Sequence, residues 1–136
     1  MRVLDASVIL KWFVEEDGSE KAVRILDDHV QGRAPIVVPD LLLYEMGNAL
    51  KCSGGFAEQE VGEAVDALWG LDLFIAAPQP EVIRSAVSIS FSFGLSLYDA
   101  AYIALAKEMG MALVTADKKL FEKAAALKFV ELLDSA

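Results

Sequence analysis

Short apolar runs recur along this chain, each too brief for a helix and most followed by a longer stretch with apolar residues at helical spacing. The runs are Val3-Leu4, Ile36-Val37-Val38, Leu73-Phe74-Ile75, Ala112-Leu113-Val114-Thr115 and Phe129-Val130-Glu131. Short apolar strands separated by helices belong to sheets covered on both faces. The intervening periodicity predicts helices over 6–14, from Ser19 to a stop at Gly32, and over 41–51, 58–69, 81–93, 97–109 and 118–126. The expected fold is a three-layer α/β/α sandwich with a mostly parallel central sheet, and residues 1–136 read as a single domain without repeats or linkers.

One segment is ambiguous. Val87, Ile89, Phe91 and Phe93 alternate with serines, which is strand periodicity, whereas Val82, Ile83, Ala86 and Val87 favour a helix. The alternation of strands and helices around it decides for a helix, ended by Gly94. Asp40, just before the helix at 41–51, is the expected N-cap.

A chain of 136 residues is long enough to bury a core unaided. Its hydrophobic fraction of 55% and mean hydropathy of +0.42 leave apolar surface over, and a hydrophobic oligomer interface is the expected use. No apolar run approaches the ~20 residues needed to span a bilayer. The N-terminus does not read as a signal peptide, so no membrane partner and a cytoplasmic location are expected. Cys52 is the only cysteine and His29 the only histidine, which excludes an internal disulfide and a zinc site of the usual nitrogen and sulfur type. His29, beside Asp27 and Asp28, reads as an exposed helix residue. The net charge of −9 disfavours nucleic-acid binding unless some of the acids lie in a cation pocket. Lys11, Lys51, Lys107, Lys118 and Lys119 are candidates for a local basic rim, with scattered solvated lysines as the alternative.

Asp5, Glu45, Asp99 and Asp117 stand where strands end or in helices that begin nearby. Ligands of open α/β sheets bind beyond the carboxyl ends of the strands. Asp5 ends the first strand and reads equally as a helix N-cap or as a ligand. Glu45 has Leu41, Leu42 and Ala49 as helical neighbours, so it either sits at the edge of an apolar stripe or is buried with a partner. Asn48 lies one turn on. Asp99 follows Ser96 by three, which also fits a capping box. Asp117 follows a strand and precedes a helix. Ser7 and Thr115 place hydroxyls near Asp5 and Asp117. Acids gathered together need a cation, and Mg²⁺ or Mn²⁺ is the natural choice for oxygen ligands.

These segments together resemble the PIN-domain nucleases, and among them the VapC-type toxins of prokaryotic toxin–antitoxin pairs. The likeness rests on Val-Leu-Asp-Ala-Ser at 3–7, Glu45 with Asn48, Ser-Leu-Tyr-Asp-Ala-Ala-Tyr at 96–102, and Leu-Val-Thr-Ala-Asp-Lys-Lys-Leu at 113–120. No one motif is decisive; the ordered set is specific. The resemblance implies a Mg²⁺- or Mn²⁺-dependent endoribonuclease whose metal-binding acids are Asp5, Glu45, Asp99 and Asp117, supported by Ser7, Asn48 and Thr115. Metal-activated water would attack an RNA phosphodiester, leaving 5′-phosphate and 3′-hydroxyl ends. It implies a cognate antitoxin that blocks the groove, often with an Arg, and a homodimer. The alternatives are a catalytically silent PIN-like RNA- or protein-binding module and a solitary PIN nuclease without an antitoxin.

Overall fold

The computed structural model describes residues 1–135. Its strands are β1 (Arg2–Leu4), β2 (Ile36–Pro39), β3 (Phe74–Ala76), β4 (Ala112–Thr115) and β5 (Val130–Leu132). They form one sheet in the order β3-β2-β1-β4-β5, every pairing parallel. The helices are α1 (Ala6–Ile9), α2 (Ser19–Val30), α3 (Leu41–Cys52), α4 (Glu58–Gly70), α5 (Pro80–Phe93), α6 (Leu97–Met109) and α7 (Lys118–Lys123).

Successive residues of a strand face opposite ways, and here both ways are buried. Val3, Val37, Leu113 and Val130 pack with residues of α5, α6 and α7. Leu4, Ile36, Val38 and Val114 pack with residues of α1, α2, α3 and α4. The result is the expected three-layer arrangement. No single helix among the described residues is long and apolar enough to cross a membrane.

The segment with serine alternation is helical. Pro80 occupies the first helical turn, where its missing N–H is no loss, and Gly94 closes the helix at φ 65°. Gly110 ends α6 in the same left-handed way, at φ 66°.

Several boundaries differ from expectation. The helix expected over 6–14 is α1 followed by a 3₁₀ turn, Leu10–Trp12. There Lys11 Nζ donates to Glu16 and to the Asp17 carbonyl, and Trp12 Nε1 donates to the Ala22 carbonyl at 2.9 Å, tying the turn to the start of α2. The helix expected over 118–126 stops at Lys123, because the N–H groups of Ala125, Leu127 and Val130 each reach back three residues and turn the chain into β5. The strands expected at 73–75 and 129–131 each start one residue later. Asp40 stands before α3, but its side chain makes no cap hydrogen bond.

His29 is not a free surface residue. The Ile36 N–H donates to its Nδ1 at 3.0 Å, so Nε2 carries the ring proton and donates to the Leu71 carbonyl at 2.7 Å. The imidazole joins α2 to the first residue of β2 and to the end of α4.

Candidate active site

From β1 the chain runs to β2 and β3 with helices on one face. It then crosses by α5 and α6 on the other face to reach β4 on the far side of β1. The strand order therefore reverses between β1 and β4, and a crevice opens beyond their carboxyl ends. Asp5 leaves β1 at that point, its N–H donating to the Val114 carbonyl at 3.0 Å. Asp117 lies two residues past the end of β4.

Asp5 is buried, 5% exposed, and makes no side-chain cap bond to α1. Its Oδ2 accepts from Ser7 Oγ at 2.7 Å and from Thr115 Oγ1 at 2.9 Å. Each hydroxyl is itself oriented by the backbone: the Ala116 N–H donates to Ser7 Oγ, and the Asp117 N–H to Thr115 Oγ1. Both hydroxyl protons point at one carboxylate oxygen. The 3.3 Å approach of Ser7 Oγ to Thr115 Oγ1 thus has no proton left to share. The cap reading of Asp5 fails: its Oδ2 is held by the two hydroxyls, and the side chain makes no cap hydrogen bond to α1.

Asp117 is a cap: Oδ1 accepts from the N–H groups of Lys119 and Leu120. Ser96 caps α6 by accepting from the Asp99 N–H at 3.0 Å, which places Asp99 in the first helical turn. Glu45 is half-buried on α3, and Tyr102, one turn after Asp99, donates to Glu45 Oε1 at 2.6 Å. Asn48 is exposed and lines a cleft of about 270 Å³ with Ser7 and Glu45.

The four acids share one field. Burial first raises the Asp5, Glu45 and Asp99 carboxyls above their ordinary range, and charge repulsion adds to it: Asp117 acts on Asp5, Asp5 and Asp99 act on Glu45, and Asp5 and Asp117 act on Asp99. The Ser7 and Thr115 hydroxyls oppose the rise at Asp5, and Tyr102 opposes it at Glu45. Lys123 opposes it at Asp99, while its ammonium donates to the Gly94 carbonyl. Lys123, at the end of α7, is a basic residue near the acids that no local sequence motif singles out. Lys118, Lys119 and Lys51 are exposed. Lys11 is paired with Glu16 and lines a cavity with Ala116 and Lys118, whereas Lys107 lines another with Gly110 and Phe129.

Among the described residues no three Asp, Glu, His or Cys side chains converge closely enough to form a ready-made ion cage. The donor set nevertheless suits a hard divalent cation: the carboxylates are oxygen ligands, no ion pair among the described residues neutralises them, and their repulsion is what a cation relieves.

Carboxylates drawn from both helical layers, at the point where a parallel sheet reverses its strand order, define an α/β domain with an acidic crevice. The model of the PIN domain family matches residues 2–127. The chain is 34% identical to Ribonuclease VapC3 of Pyrobaculum aerophilum, over 92% of this chain and 95% of that protein. It is 30% identical to Exonuclease VapC9 of the same organism, over 79% of this chain and 80% of that one. A toxin–antitoxin complex from Klebsiella pneumoniae has the same fold, with TM-score 0.72 and 16% identity over 96% of this chain and 95% of its own. The chain belongs to the PIN domain family.

Proposed function

We propose that this protein is a Mg²⁺- or Mn²⁺-dependent endoribonuclease, the toxin of a type II toxin–antitoxin pair. The observation that carries this reading is the shared field of Asp5, Glu45, Asp99 and Asp117 beyond β1 and β4. An RNA phosphodiester is an anion and is repelled by such a crevice unless positive charge is brought in. A divalent cation held by these acids would supply that charge and bring the pKa of a water toward neutrality.

The chain's own part is positioning. Ser7 and Thr115 fix Asp5 Oδ2, and helix α7 fixes Asp117 Oδ1. Tyr102 fixes Glu45 Oε1. Asn48 stands on the rim of the cleft, and exposed Lys118 and Lys119 follow Asp117 at the place where a strand of RNA would approach. The reading includes a cytoplasmic location, a homodimer formed through exposed apolar side chains, and an antitoxin whose Arg would offset the acids in place of the cation. The relatives' names support a nuclease, and one solved neighbour is a toxin–antitoxin complex.

The test is cleavage by the purified chain of a linear RNA and of the same RNA closed into a circle. Mg²⁺ or Mn²⁺ is expected to support cutting of both, EDTA to stop it, and Asp5→Asn to abolish it. Cutting of the linear form alone would assign an exonuclease. Binding without cutting would assign a silent module, and equal activity of the Asp5→Asn protein would expose a contaminating nuclease.

A further inference from the structure

Tyr102 is fully buried in the layer formed by α5, α6 and α7. A buried phenol needs a partner for its hydroxyl. Here the partner is the carboxylate of Glu45, on α3 in the opposite layer, and the bond crosses from one layer to the other. At 2.6 Å it has the length of a charge-assisted bond. Glu45 is a flexible side chain, and its Oε2 makes no hydrogen bond among the described residues. Tyr102 also follows Asp99 by three residues, so one helix carries an acid and the clamp for another acid.

We infer that Tyr102 is a positioning residue of the cation site: its hydroxyl holds Glu45 by Oε1 and leaves Oε2 to bind the ion. The inference rests on the cation-dependent reading above and adds to it a residue outside the acidic set. Partners that orient a ligand in this way are worth roughly 10- to 100-fold in metal affinity.

The experiment is Mn²⁺ binding in the absence of RNA, read from the free-ion electron paramagnetic resonance signal. Tyr102→Phe removes one oxygen and keeps the ring that packs the core. It is expected to weaken Mn²⁺ binding at least about tenfold. In a Glu45→Gln background the same substitution is expected to add less than about twofold, because the ligand it positions has already been altered. A merely structural role would lower the urea midpoint and leave the affinity unchanged. Tyr102→Phe binding Mn²⁺ like the wild type, or losing equally in both backgrounds, overturns the inference and leaves the nuclease reading standing. A wild-type protein that binds no Mn²⁺ overturns both.

Discussion

Thr115→Val tests whether the hydroxyl network exists to hold a charge. Valine has nearly the shape of threonine, so the substitution opens no cavity at a site that is 0% exposed. It removes the 2.9 Å bond to Asp5 Oδ2, and hydrogen bonds to charged groups contribute about 1.5–3 kcal/mol. It also strands the Asp117 N–H, which costs about 1 kcal/mol at a half-buried position that water can reach. The added methyl returns about 1 kcal/mol of burial. The net expected loss is about 1.5–3 kcal/mol, or roughly 5–12 °C in Tm for a chain of this size. The assay is urea unfolding of metal-free protein, followed by the fluorescence of Trp12 and Trp69. With Asp5→Asn in place, the hydroxyl donates to a neutral carboxamide worth about 1 kcal/mol, so the same substitution should be milder by about 1 kcal/mol. Equal losses in the two backgrounds would mean that Thr115 serves only the backbone. A loss under about 0.5 kcal/mol would refute the network's energetic importance altogether.

His29→Ala leaves the N–H of buried Ile36 and the Leu71 carbonyl without their ring partner, with an expected loss of about 2–4 kcal/mol in urea unfolding; a change below about 0.5 kcal/mol would show that water replaces the imidazole. The acids also set a pH dependence. Asp5, Glu45 and Asp99 are raised in the folded protein, from 3.8 for the aspartates and 4.5 for Glu45, so the native state holds more protons than the unfolded chain over the window above those values. Their contribution to stability therefore falls as pH rises through that window, and the full penalty is present above it. Asp99→Asn should raise the metal-free urea midpoint at neutral pH and flatten this part of the pH profile, and Mn²⁺ should remove most of the difference. Profiles of wild type and variant that run parallel from about pH 4 to 8 would contradict the shared field.

The layered fold was legible because its strands are short and apolar and its helices are punctuated. Pro80 and Gly94 bracket α5 and outweigh the serine alternation, which includes Phe91, a residue 87% exposed. What escaped was tertiary. Nothing local announces the 3₁₀ turn at Leu10–Trp12, which is drawn tight by contacts to Glu16, Asp17 and Ala22. His29 looked exposed because its partners, Ile36 and Leu71, come from other elements. At the site, the places of Asp5 and Asp117 just past strand ends and of Asp99 in a first helical turn could be read from the sequence. Which of them are caps could not: Asp117 caps with one oxygen, whereas Asp5 and Asp40 do not cap. Tyr102 carried one overlooked signal, a polar tip at mid-helix among Ala101, Ile103, Ala104 and Leu105, where the core demands a partner.

The first strand to be made is the innermost of the sheet. β1 needs β4 on its far side, and Leu4 pairs with Val114. At a synthesis rate of ~5–20 residues per second, that neighbour arrives roughly 5–20 s later. During translation the amino-terminal strand therefore waits with an open edge, in need of shelter from other nascent chains. Asp117 is the last of the four acids to be added, so the acidic crevice stays incomplete on the ribosome until β4 and the start of α7 have been translated.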